Sequence, residues 1–287
     1  LCAYSISEAG SDWRKVIFIN AETKGSIGDN LIDVKFSGLS WKANEGVYYS
    51  SYDKPKGSEL SAKTDQHKLY FHKLGTNQSE DVLVFGGKEK RRYVRGSVSD
   101  DNHYLFISAA NSTSGNELYL QDLTKPNAPI QLIHAGFEYD VDVLDNQGTK
   151  LFIVTNYKAP NKRIVTVDVS NPTADNWKDC IAETDQVLSP STGAGFIFAN
   201  YMKDAVSLVK QFDYNGQLVR EIELPGLGTA SGFGGKNEDK IVYFSFTNYV
   251  TPSTTYQFSP ADGRSSIYVQ PKVDFVSANY ISKQAFY

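Results

Sequence analysis

A repeat of about 46 residues is the feature that most constrains how this chain of 287 residues can fold. Four strand-like segments carry a phenylalanine at the same point, at intervals of 46 residues: Phe106, Phe152, Phe198 and Phe244. A second set of positions, 45 or 46 residues apart, follows in the next alternating segments: Asp122, Asp168, Asp213 and Ser259. Two sets of positions with one period indicate a repeat architecture, in which each unit stacks on its neighbours.

Each unit is predicted to contain four short strands and to form one blade of a β-propeller. The first strand is rich in small and polar residues, the second is aromatic, and the third alternates between apolar and polar residues. Turn residues every 8 to 12 positions leave no room for the longer apolar spacing of helical repeats. The sequence therefore predicts an all-β fold with five complete blades, preceded by one blade that lacks its innermost strand.

Four glycine- and serine-rich segments are predicted to be innermost strands, where small side chains suit crowded backbones. They are residues 36–41, 94–99, 139–144 and 230–235. Residues 1–270 are assigned to the propeller. The tail, residues 271–287, is too short for a further blade and is expected to be a linker, so truncation is expected at both ends of the chain.

Composition and charge exclude several classes of protein. Aromatic residues make up 13% of the chain, which favours strands, while a net charge of −4 argues against a nucleic-acid binder. Cys2 and Cys180 are too few and too far apart for a disulfide framework or a zinc site. No membrane-spanning run or signal peptide is visible, and no cofactor or metal is expected.

The histidines and basic residues look reactive but predict no catalytic centre. His67 and His72 are five residues apart, so on a strand they face opposite sides, and we expect surface or strand-end histidines that share no metal. The basic run "KEKRRYVR", residues 88–95, is typical of a solvated loop. No G-x-S-x-G, Walker or H-E-x-x-H motif occurs, so nucleophilic catalysis by these residues alone is not expected.

Several longer stretches resemble the propeller domain of the prolyl oligopeptidase family, and bacterial members in particular. They are "SEAGSDW" (7–13), "DVKFSGLSW" (33–41), "YYSSYD" (48–53), "HKLYFHKLGTNQSED" (67–81), "APNKRIVTVD" (159–168) and "YFSFTNYVTPSTTY" (243–256). The resemblance runs along essentially the whole chain. It implies a seven-bladed propeller, of which about six blades are present here, next to an α/β-hydrolase domain whose Ser, Asp and His triad is absent from these residues.

The resemblance also implies a function and a set of site residues. Family members cut short peptides after proline, and the propeller limits access to the active site. Phe36 corresponds to a phenylalanine of the pocket upstream of the substrate proline, Val94 lies near a family methionine, and Gln121 lies near a family cysteine. The insertion from Lys54 to Gln66 corresponds to a flexible interdomain loop that influences substrate entry.

The implied partners are the hydrolase domain of the same protein and short proline-containing peptides, with no nucleic acid and no membrane. The resemblance to bacterial members implies a periplasmic location, with the cytoplasm as the alternative. The repeat alone also permits a free-standing propeller that binds a protein or a peptide on one face.

Overall fold

Antiparallel hairpins build the whole fold, which we describe from a computed structural model covering residues 1–54 and 64–286. By contacts the chain divides into two compact units, residues 1–141 and 142–287. Strands form consecutive up-and-down meanders in both units, and each sheet takes its strands from one continuous stretch of sequence. The all-β prediction is confirmed.

The first unit contains three sheets. The first sheet has three strands, β1 (Cys2–Ser7), β2 (Trp13–Ile19) and β3 (Ser26–Lys35). The second has β4 (Leu39–Lys42), β5 (Gly46–Ser51), β6 (Lys68–Lys73) and β7 (Val82–Phe85). The third has β8 (Tyr93–Val98), β9 (Tyr104–Ala110), β10 (Glu117–Asp122) and β11 (Gln131–His134). The three-stranded first sheet agrees with the expected incomplete first blade.

The second unit contains three four-stranded sheets, the first of which begins at the unit boundary. They are β12 (Val141–Gln147), β13 (Lys150–Thr155), β14 (Arg163–Asp168) and β15 (Lys178–Ile181); β16 (Leu188–Gly193), β17 (Phe196–Lys203), β18 (Val206–Phe212) and β19 (Leu218–Glu221); and β20 (Thr229–Gly232), β21 (Val242–Thr247), β22 (Thr254–Ser259) and β23 (Arg264–Val269). Short 3-10 turns lie at Gln78–Glu80, Ala174–Asn176 and Ser277–Asn279. Four-stranded meanders of this kind are propeller blades, as predicted.

The repeated phenylalanines form the core between neighbouring sheets. All four lie in the second strand of their sheets and are buried: Phe106, Phe152, Phe198 and Phe244. In the second unit, Phe198 packs with Phe244 and Phe258 in a cluster that joins the last two sheets. In the second unit such clusters join successive sheets, so the period of the sequence is there also the period of the core.

Residues 230–235 are predicted to be an innermost strand rich in small residues, but β20 ends at Gly232 and is followed by the large side chain of Phe233. It is 1% exposed and adopts a left-handed conformation with φ 64°, directly after β20. Its ring stacks on Phe244 with centroids 4.6 Å apart and on Phe198 at 5.4 Å. The glycines around Phe233 therefore let the chain turn so that a large ring enters the core.

We predict that Phe198→Ala destabilises the second unit by about 3 to 5 kcal/mol, because it removes a fully buried ring from between two sheets and leaves a cavity. Tyr249→Ala is the matched control, since Tyr249 is fully exposed, and its effect should stay within about 0.5 kcal/mol. Urea unfolding followed by fluorescence measures both. Equal midpoints for the two variants would contradict this account of the core.

Candidate functional site

Phe36 lies at the turn between β3 and β4, just before the strand that the sequence predicted it would occupy. Its backbone is left-handed with φ 52°, a conformation that is uncommon for a bulky residue. Its ring is 42% exposed although apolar groups surround it. The turn therefore holds an aromatic side chain out of the core, at a cost in backbone energy that the neighbouring contacts must offset.

Aromatic and cationic groups surround the Phe36 ring. The Tyr52 ring meets it edge-on with centroids 6.2 Å apart, and the Tyr93 ring lies 6.3 Å away. The Lys35 ammonium lies 5.1 Å from the centre of the Phe36 ring and equally far from that of Trp13. We call Lys35, Phe36, Tyr52, His67 and Tyr93 the Phe36 patch.

His67 is the fully buried member of the Phe36 patch. Its ring stacks on Tyr52 with centroids 4.3 Å apart. The Val94 backbone N–H donates to Nδ1 at 2.9 Å, and Nε2 lies 2.9 Å from the Lys35 carbonyl. Because Nδ1 accepts, Nε2 must carry the proton, which fixes one neutral tautomer. His67 thus ties the chain before Phe36 to the chain after Tyr93.

Burial lowers the pKa of His67 to about 4. The Lys35 carbonyl opposes this shift, because it also accepts a hydrogen bond from the charged ring. The positive charge of Arg95 lowers the pKa further. Burial likewise raises the pKa of Tyr52 to about 12, so that its hydroxyl keeps its proton and donates to the Arg92 carbonyl. His67 and Tyr52 are therefore both neutral at neutral pH, beside the charged Lys35.

The two sequence-predicted neighbours of Phe36 are placed differently. The Val94 side chain is fully buried with Leu69 and Leu105, and only its backbone N–H serves the Phe36 patch, through His67. The residue that reaches Phe36 is the preceding one, Tyr93. Since side chains alternate along a strand, one step of register decides which residue of β8 faces the patch.

Gln121 lies at the other end of the third sheet. Val94 pairs with Ala109, whereas Gln121 pairs with Leu105, which lies four residues earlier in β9 and about 13 Å away along the strand. Gln121 donates from Nε2 to the Ala128 carbonyl at 2.9 Å. The structure thus does not bring Gln121 together with Phe36, and the substrate-binding roles of Val94 and Gln121 stay predictions.

His72 belongs to a separate buried network. Its Nδ1 lies 2.7 Å from Asp81 Oδ1, and the Tyr49 hydroxyl donates to the other oxygen of Asp81 at 2.7 Å. Asp29 lies 3.6 Å from Nε2. His72 is fully buried and stacks on Phe18. Both histidines lie at the ends of β6 as predicted, but the expectation of surface histidines is wrong.

The acids that follow the histidines in sequence are therefore structural partners. Asp81 comes nine residues after His72 and returns to it because the 3-10 turn Gln78–Glu80 reverses the chain between β6 and β7. Within the described ranges, 1–54 and 64–286, no group of three or more His, Cys, Asp or Glu residues could hold a metal ion. No helix in this part of the chain is long and apolar enough to cross a membrane.

Residues 55–63 of the predicted gating insertion lie outside the described residues. Its two flanks are described, and both contact the region of the Phe36 patch. Lys54 pairs with Asp33 at 2.7 Å, three residues before Phe36. Gln66 donates from Nε2 to the Gly86 carbonyl at 3.1 Å, next to the buried His67.

A pH dependence follows from His67. The lowered pKa means that the unfolded chain takes up a proton between pH 6.5 and pH 4 while the folded chain does not. Stability from this group is complete above pH 6.5 and is lost as the pH falls through that window, by about 3 kcal/mol at most. We expect His67→Gln to lower stability at pH 7.5 and to flatten its fall between pH 6.5 and pH 4.

Denaturant unfolding over this pH series measures the effect. The control is His103→Gln, since His103 lies in an exposed turn, and the fall in stability should match that of the unaltered chain. The same fall in the His67→Gln chain as in the unaltered one would show that His67 is not held neutral.

Known proteins resemble this chain over nearly its whole length. The family described as "Prolyl oligopeptidase, N-terminal beta-propeller domain" matches residues 1–271. The prolyl endopeptidase of Elizabethkingia meningoseptica is 55% identical over 289 residues, covering 100% of this chain and 41% of the relative. That of Dictyostelium discoideum is 29% identical and covers 99% of this chain and 44% of the relative. The chain thus spans about two fifths of the length of these relatives.

Solved structures agree with the sequence relatives. A structure from a study of two prolyl endopeptidases has 31% identity and a TM-score of 0.86, and covers 96% of this chain and 40% of that chain. Prolyl oligopeptidase B from Galerina marginata, without ligand, has 22% identity, a TM-score of 0.82 and 96% and 41% coverage, and it supports the fold alone. Because the family model matches residues 1–271, the chain belongs to the prolyl oligopeptidase family and corresponds to its N-terminal β-propeller domain.

Proposed function

We propose that this chain is the propeller part of a proline-specific serine endopeptidase, in which it limits access to short peptides and forms part of the substrate pocket wall. Family membership supports the class of protein, and the relatives are named prolyl endopeptidases. Because the chain spans 41% of their length, we assign the catalytic triad to an α/β-hydrolase domain of the same protein.

The single observation that carries the pocket assignment is the exposed, preorganised ring of Phe36. Phe36 is 42% exposed in a left-handed turn, and it adjoins the Tyr52 and Tyr93 rings in one aromatic group rather than standing as a single exposed side chain. Tyr52 and the neutral His67 lie beneath it in fixed orientations. A ring held in place in this way loses little freedom when a peptide packs against it, which favours binding.

The second part of the proposal is that the propeller limits access to the active site. A shell over a hydrolase site excludes folded proteins by size and keeps bulk water from the reacting groups. The flanks of the insertion, Lys54 and Gln66, are both anchored near the Phe36 patch. The described flanks of the insertion therefore lie close to the ring that we assign to the pocket.

Measurements of peptidase activity test whether the catalytic residues lie outside this chain. We expect the purified 287-residue chain to give no turnover of a fluorogenic Gly-Pro substrate, and the full-length protein to cleave it after proline. Turnover by the chain alone would contradict the assignment of the triad to another domain. A full-length protein that binds peptides without cleaving them would favour a free-standing binding module.

The pocket assignment has its own test in the full-length peptidase. Phe36→Ala should raise KM for peptides that extend upstream of proline by about five- to thirtyfold, the loss of roughly 1 to 2 kcal/mol of aromatic contact. KM for a minimal dipeptide substrate should change much less. Tyr4→Ala is the control, since Tyr4 is 45% exposed on β1 and lies outside the Phe36 patch. Unchanged kinetics for long peptides would reject the pocket role of Phe36.

On the sequence resemblance to bacterial family members we also propose a periplasmic location, with the cytoplasm as the alternative. Cell fractionation with an antibody against the propeller tests it, and recovery with the cytoplasmic proteins would reject it.

A further inference from the structure

Two arginines beside the Phe36 patch are exposed. Arg92 directly precedes Tyr93, and its guanidinium carbon lies 5.5 Å from the centre of the Tyr93 ring. Arg95 lies on β8, two residues after Tyr93 and therefore on the same face of the strand. Arg95 also lies close enough to His67 for its charge to disfavour protonation of the buried ring. The basic run of the sequence is therefore partly a strand beside the patch, rather than only a solvated loop.

Three cations near the Phe36 patch have carboxylate partners among the described residues. Arg91 makes a charge-assisted hydrogen bond to Glu117 at 2.7 Å, Lys54 pairs with Asp33, and Lys35 has Asp12 at 3.8 Å. Among the residues that the structure describes, no carboxylate lies within ion-pair distance of Arg92 or Arg95. Among the described residues, two positive charges without a carboxylate partner thus lie beside an exposed aromatic surface.

The chemistry of the two groups favours a carboxylate ligand. A guanidinium binds a carboxylate through two parallel hydrogen bonds and keeps its charge at any physiological pH. A cationic side chain in the same place meets two like charges. The Phe36 and Tyr93 rings supply apolar contact for the peptide, and the arginines supply a charge that distinguishes one neighbouring residue from another.

We propose that Arg92 and Arg95 form a subsite that favours an acidic residue upstream of proline in the peptide substrate. The inference rests on the proposed function, because it requires the peptide to bind at the Phe36 patch. Phe36 and Tyr93 would hold the peptide, and the two arginines would select among peptides of equal length by the charge of one side chain.

The test uses internally quenched peptides that contain one proline and the full-length peptidase. Glu, Gln or Lys is placed in turn at the second to fifth positions before proline, and kcat/KM is measured for each. At one position, Glu should exceed Gln by about five- to tenfold, with Lys below Gln. The preference should fall towards unity in about 0.5 M NaCl, since exposed charges are screened there.

Variants assign the preference to these residues. Arg95→Gln and Arg92→Gln should each reduce the Glu-to-Gln ratio, and Arg95→Glu should move the preference to Lys. Arg14→Gln is the matched control, because Arg14 is an exposed arginine on β2 outside the Phe36 patch, and the ratio should stay unchanged.

The outcomes separate this inference from the proposed function. Equal cleavage of the Glu, Gln and Lys peptides at every position would overturn the subsite while leaving a prolyl endopeptidase in place. A Glu preference that survives in the Arg92→Gln, Arg95→Gln double variant would also overturn it. Failure to cleave any of the peptides after proline would overturn the proposed function and the subsite together. The salt dependence is measured on the unaltered protein and therefore does not depend on any variant folding.

Discussion

Packing between neighbouring sheets is the constraint on which the rest of this structure depends. A four-stranded meander has two faces and cannot bury both alone, so each sheet needs a neighbour of matching shape. In the second unit the match is aromatic: Phe233 lies between Phe198 and Phe244 with nearly parallel rings, and Phe258 meets it edge-on. These rings fix the packing between the last two sheets.

The Phe36 patch is formed largely by residues in the connections between strands. A chain that passes from the last strand of one sheet to the first strand of the next must turn sharply at the sheet ends, and the turn at Phe36 is left-handed. Two sheets and the connections around them contribute to the patch, through Lys35 of β3, Tyr52 after β5 and Tyr93 of β8. His67 joins these segments by two hydrogen bonds from a single buried ring. The rigidity of the site therefore derives from the same sheet ends that define the blades.

The sequence predicted the blades better than the site, for a physical reason. A blade can be predicted from local patterns, namely the 46-residue period, the aromatic second strands and the turns. The structure confirms these patterns from Phe106 to Phe244. The site depends on one step of strand register and on contacts between distant segments. Hence the family resemblance indicates Phe36, whereas the contact of Phe36 with Tyr93 and the distance of Gln121 from Val94 depend on the strand register.

The burial of the histidines could not be predicted from the sequence for a related reason, since it depends on contacts with distant residues. His67 looks like a polar residue before a strand, and only the Lys35 carbonyl and the Val94 N–H, 32 and 27 residues away, explain why it can be buried. The spacing of His72 and Asp81 did hold a usable signal, since a short turn between two paired strands brings such residues together. An acid behind a histidine can therefore be its structural partner as readily as its catalytic one.

The neutral state of His67 has a consequence for the electrostatics of the Phe36 patch. With its pKa lowered to about 4, the imidazole adds no charge at neutral pH, and the positive potential of the patch comes from Lys35, Arg92 and Arg95. Arginine keeps its charge at every pH at which the protein is folded. The polarity of this surface is therefore constant across the neutral range. Under the proposed function, a change in peptide turnover with pH in that range is therefore expected to originate in the groups that perform the chemistry, and not in the Phe36 patch.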